Sequence, residues 1–127
     1  MSFVRKSRHG TELSLNGGKE RVYETITEKD GLPIGLAYVI EQESKPHYHD
    51  HTHEVYIVRN GRGIIALDEA RRKVTTGDIV YIKPGTVHMA KSVAISNHPF
   101  YFWVLTSPPF DPNDVHPVAV QGRLSRK

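Results

Sequence analysis

Short apolar runs interrupted by turn residues, with almost no recurrence at three- and four-residue spacing, mark this chain as a succession of β-strands. The runs are rich in β-branched and aromatic residues and predict strands over 21–27, 36–43, 54–58, 63–67, 73–75, 78–82, 88–94 and 100–106. Between them stand Asn16-Gly17-Gly18, Asp30-Gly31, Asn60-Gly61, Thr76-Gly77, Pro84-Gly85 and Ser96-Asn97-His98-Pro99, all sound turn chemistry. About eight strands in 127 residues point to an all-β sandwich or small barrel. Beyond Thr106 four of the eight prolines crowd into 107–117, which predicts an extended arm, with Asp111-Pro112 able to cap one helical turn. The expected organisation is therefore one domain: an N-terminal arm over 1–20, a barrel over 21–106, and a Pro-rich arm with a basic tail over 107–127.

Composition supports a single core, with 38% hydrophobic and 24% charged residues. The longest apolar run, Phe100 to Leu105, is far short of the roughly twenty residues that cross a bilayer, and no secretory signal opens the chain. With no cysteine, disulfide scaffolds and thiolate chemistry are excluded, and a cytoplasmic location is expected. The net charge of +3 does not imply a nucleic-acid partner, because Arg5, Lys6, Arg8, Arg123, Arg126 and Lys127 hold the excess at the ends. The body between them carries eleven basic against fourteen acidic residues.

Four of the eight histidines fall in the window His47-Tyr48-His49-Asp50-His51-Thr52-His53-Glu54. Such a cluster can be a metal site, a pH switch or a proton shuttle, and the adjacent carboxylate favours metal. In a strand, residues i and i+2 share a face at roughly 6.6 Å, so His47 and His49 can grip one ion. A straight strand would carry His53 roughly 20 Å away, whereas a turn through Asp50-His51-Thr52 folds Glu54 back beside the pair.

The spacing His47-x-His49-x4-Glu54-x6-Gly61 resembles the first motif of the cupin superfamily, and Gly77-Asp78 through Pro84-Gly85 to His88 resembles the second. Fifteen residues separate Gly61 from Gly77, as in compact single-domain microbial cupins. The resemblance spans roughly 36–114. It implies a small cupin-type β-barrel or jelly roll, with His47, His49, Glu54 and His88 as ligands of one divalent transition metal, Mn, Fe, Ni, Zn, Co or Cu. Three positions depart from the pattern: Glu41 stands where the family has Gly, Lys83 where it has Pro, and Ser92 where it has Asn.

Tyr56 shares the parity of Glu54 and is expected to point toward the metal, while Tyr48 faces away. Lys83 near the barrel mouth is a candidate for an anionic ligand, against the simpler reading of a surface lysine. Trp103 lies in the last apolar strand, where core packing competes with a place in the pocket. His51 and His53 read as loop residues or as partners that orient a ligand. His9, His98 and His116 read as exposed. Phe3, Val4 and Phe110 on loose arms suggest a homodimer. The functional expectation is a metal-dependent enzyme acting on a small oxygen-rich metabolite (sugar, carboxylic acid or enol) by Lewis-acid or dioxygen chemistry. The alternatives are a non-catalytic metal-dependent binding protein and a sensory partner. No catalytic acid or base beyond the ligands is nameable from sequence.

Overall fold

A computed structural model describes residues 2–6, 11–93 and 98–119. Within them run β1 (Thr11–Leu15), β2 (Glu20–Ile26), β3 (Gly35–Glu41), β4 (His47–Tyr48), β5 (His53–Asn60), β6 (Arg62–Leu67), β7 (Ala70–Thr75), β8 (Ile79–Ile82), β9 (His88–Ser92), β10 (Phe100–Ser107) and β11 (His116–Pro117). They form two antiparallel sheets, ordered β1-β2-β3-β10-β5-β8 and β11-β4-β9-β6-β7. The chain passes repeatedly from one sheet to the other, which gives the small barrel expected from the turn spacing, in the jelly-roll form that the motif resemblance implies. Among the described residues no helix is long and apolar enough to cross a membrane.

Pleating decides what faces inward. Along β10, Phe100, Phe102, Val104 and Thr106 are buried and alternate with half-buried Tyr101, Trp103 and Leu105. β5 repeats the pattern with Glu54, Tyr56 and Val58 inside. The apolar ones among these meet Ile65, Ile82 and Ala90 in one cluster, within which Tyr56 stacks on Phe102 at 4.5 Å between ring centroids. Trp103 falls on the other face of β10. It packs edge-on against Tyr38 at 5.1 Å, so its predicted place in the core or pocket is corrected by strand parity.

Three parts of the sequence reading are revised here. Residues 11–15 are not part of an arm: they alternate as Thr-Glu-Leu-Ser-Leu and pair with β2 through the tight turn at Asn16–Gly18. His47–Tyr48 and His116–Pro117 form a short ladder of their own, so the Pro-rich segment returns to the sheet after its capped turn at Pro112–Asp114. Phe110 is half-buried against the His49 ring and is not on a loose arm. At the other end, Phe3 and Val4 are exposed as expected, while Arg5 holds Asp30 through a bidentate pair at 2.6 and 2.8 Å. The Arg5 hydrogen bond, with a second from the Thr27 N–H, holds the Asp30 carboxyl down at about 2. Residue 94 of the predicted strand and Ser96-Asn97 of the predicted turn, like His9 and the basic residues of the tail, lie outside the described residues.

The turn from β5 into β6 requires glycine twice over. Gly61 sits at φ 84°, and a Cβ there would lie 2.5 Å from the Pro99 carbonyl oxygen. Gly63 has no such backbone demand, yet a Cβ would meet the fully buried Phe100 ring at 2.4 Å and the Lys91 carbonyl at 2.8 Å. Gly63→Ala should therefore destabilise the fold by about 1–3 kcal/mol through overpacking, despite alanine's more restricted unfolded state. Denaturant titration would show this as a lower midpoint at unchanged slope; an unchanged or higher midpoint would mean that Phe100 repacks freely.

Candidate metal centre and cavity

The centre is assembled from both sheets. β4 supplies His47, the following residues supply His49, and His88 opens β9 directly across the ladder from His47. Ring centroids stand 4.4 Å apart for His47 and His88, 5.1 Å for His47 and His49, and 5.3 Å for His49 and His88. One nitrogen from each ring lies within 4.8 Å of the other two. From the six-stranded sheet, Glu54 reaches across with Oε1 at 3.0 Å from His88 Nε2 and 3.4 Å from His49 Nε2.

The same local device orients all three rings. His47 Nδ1 lies 2.7 Å from the Lys45 carbonyl, His49 Nδ1 2.9 Å from that of Asp114, and His88 Nδ1 2.9 Å from that of Thr86. A carbonyl oxygen only accepts, so each Nδ1 carries the proton and donates it, and in the neutral ring Nε2 is left as a lone pair. His49 Nε2, His88 Nε2 and Glu54 Oε1 are buried with no hydrogen-bond partner. Three acceptors facing one another repel unless a cation stands among them.

Electrostatics follow from this crowding. Burial and the neighbouring His88 push His47 down to about 4, so its ring is neutral at physiological pH. For Glu54, burial favours the protonated form, but the close approach of the His49 and His88 rings outweighs it and the carboxyl lies well below the usual range. Burial likewise opposes charge on His49, and the Glu54 carboxylate outweighs it in the other direction.

The turn that brings Glu54 back is held from the far end of the sequence. The buried Asp114 carboxylate accepts from the backbone N–H of Asp50 at 2.8 Å and of His51 at 2.9 Å, and from the Thr52 hydroxyl at 3.4 Å. Burial works to raise Asp114, and these donors together with His116 hold it at about 2. His116, expected to be exposed, is half-buried, pairs with Asp50 and Asp114 at 3.1 Å and stacks on Tyr48. Its neighbours on the returning arm were not foreseeable from the turn residues around it.

Beside the centre opens a cavity of about 320 Å³. His47, His49, Glu54 and Tyr56 are among its lining residues, and Leu13, Val22, Leu36, Val39, Val104 and Phe110 form much of the wall. Tyr56 thus takes the inward place its parity predicts. His53 does not: it is exposed on the opposite face of β5, stacked on Tyr81 and 2.7 Å from its hydroxyl. Lys83 is exposed and absent from the cavity wall, because the inward position of β8 belongs to Ile82. His51 is exposed and serves the turn through its backbone. His98 is exposed as expected. Sequence reasoning missed Asp114, Glu20 and Glu41; only the last left a signal, as the departure from glycine.

Residues 38–99 match the family described as Cupin domain. An uncharacterized protein of Methanocaldococcus jannaschii is 34% identical over 98 residues, covering 77% of this chain and 68% of that protein. The fold is similar to that of a protein from Planctomyces limnophilus, with a TM-score of 0.76 at 19% identity over 91% of this chain and 96% of that one. It is also similar to a predicted oxalate decarboxylase from Thermotoga maritima, with a TM-score of 0.73 at 16% identity over 84% and 99%. The nucleoside dehydratase Pac13, from Streptomyces, gives a TM-score of 0.72 at 13% identity over 93% and 92%.

Because the folded Asp114 lies below its ordinary value of 3.8, its contribution to stability is present above that value and is lost as pH falls toward about 2. Asp114→Asn should therefore melt lower than wild type at neutral pH and decline less between about pH 5 and pH 2. Amide exchange at Asp50 and His51 should quicken in the same variant. Unaltered exchange and an unaltered pH profile would show that the turn holds itself.

Proposed function

This chain belongs to the cupin family, and from that premise and the geometry of the centre we propose that it holds one divalent transition metal through His47, His49, Glu54 and His88. On this reading it is a metal-dependent enzyme acting on a small molecule whose oxygen atoms face the metal. The observation that carries the reading is the set of orphaned acceptors: three rings fixed by Nδ1–H donation, with Nε2 of His49 and His88 and Oε1 of Glu54 buried and unpartnered. Three nitrogens and one carboxylate oxygen suit a first-row divalent ion, and the carboxylate offsets part of its charge.

A metal bound there supplies Lewis acidity, polarising a carbonyl or hydroxyl oxygen of the ligand. The chain's own residues do the rest. The backbone carbonyls of Lys45, Thr86 and Asp114 keep the rings aimed and raise their basicity through the donated Nδ1–H. The apolar wall excludes water and favours a ligand with a largely apolar body, an enol or a carboxylic acid in preference to a sugar.

Protein purified without a metal-affinity step should contain about one Mn, Fe, Co, Ni, Cu or Zn ion per chain by elemental analysis. Glu54→Gln should weaken loading at least about tenfold, and His53→Ala should leave it unchanged. Loading that survives Glu54→Gln and His47→Ala, or that fails in His53→Ala, would overturn the assignment.

A further inference from the structure

Glu20 and Glu41 are cross-strand partners in the β2–β3 ladder, away from the strands that carry the histidines. Glu20 lines the cavity, and its cross-strand partner Glu41 is 2% exposed, its Oε2 without a hydrogen-bond partner. The two carboxyls lie within hydrogen-bonding reach of each other. Two adjacent carboxyls, one buried and one half-buried, resist ionising together, so the pair retains one proton between them. Burial and the neighbouring Glu20 push Glu41 up to about 10, which assigns it the proton at neutral pH.

Other observations tie the pair to a ligand. The Thr106 hydroxyl, on the wall of the same cavity, is buried and unpartnered. Tyr56 is buried within electrostatic reach of Glu54, Glu41 and Glu20, so the pair and the metal centre share one interior. A buried acid pair is costly to a fold, and apolar residues of similar volume would pack at least as well. The cupin pattern has glycine where this chain has Glu41, so the pair is a feature of this chain's own sequence.

We propose that Glu20 and Glu41 are a one-proton carboxyl pair that serves as the acid–base group for the ligand in the cavity, a molecule with an apolar body and an enolisable carbonyl at its polar end. This rests on the metal-dependent reading above. The Glu20 carboxylate takes a proton from the carbon next to the carbonyl, and that C–H electron pair becomes the carbon–carbon π-bond. The former carbonyl π-pair moves to oxygen, which receives the proton held with Glu41. One proton is gained and one given, so the pair returns to its starting charge.

Phenyl glycidyl ether, a compact apolar epoxide, tests the pair without a known substrate. The Glu20 carboxylate would attack the epoxide carbon while the Glu41 proton passes to the departing oxygen, leaving an ester and a hydroxyl. Mass spectrometry of wild-type protein should find Glu20 esterified roughly a hundredfold faster than the exposed Glu12 and Glu28, and Glu41→Gln should remove most of that excess. Esterification of Glu20 no faster than Glu12 overturns the proposal, whether or not the variant folds; so does an excess that a folded Glu41→Gln protein retains. Elemental analysis of the same samples separates the two readings. Normal metal content without labelling refutes the pair alone, and labelling without metal refutes the metal assignment alone.

Discussion

An ionised Glu54 inside the barrel is the constraint from which the rest of the site follows. A buried carboxylate costs several kcal/mol unless opposite charge or donors meet it, and the acceptors that surround this one supply neither. Its Oε1 faces Nε2 of His49 and His88, and those nitrogens are aimed because the opposite edge of each ring is tied to a backbone carbonyl. The carbonyl that ties His49 belongs to Asp114, 65 residues further along the chain. One charge on β5 thus couples the two sheets, the turn at Asp50–Thr52 and the returning C-terminal segment.

The interior carries two polar assemblies against an otherwise apolar wall. The histidines sit on β4, its continuation and β9, while the carboxyl pair sits on β2 and β3. Tyr56, stacked on Phe102, lines the same cavity and lies within electrostatic reach of Glu54, Glu41 and Glu20. Groups fixed around one cavity are what it needs if it is to orient a ligand and exchange protons with it.

Much of this was legible in local pattern. Asn60-Gly61, Gly77-Asp78 and Pro84-Gly85 placed the barrel turns, and the spacing of His47, His49 and Glu54 demanded the bend between them. Asp111-Pro112 announced the capped turn that the structure contains. Illegible were features that depend on register between distant strands. Trp103 and Phe102 are equally apolar, and only pairing with β3 and β5 decides that Phe102 faces inward. Lys83 looked like a residue at the mouth until Ile82 took the inward position of β8.

By itself the sequence determined an all-β barrel with a histidine-carboxylate cluster, because turns, strand period and i, i+2 spacing are local properties of the chain. Tertiary structure alone decided that Asp114 anchors the cluster's turn and that Glu20 opposes Glu41 at the cavity. Those relations arise from loop closure and strand pairing across tens of residues, where a shift of one position turns every side chain to the other face.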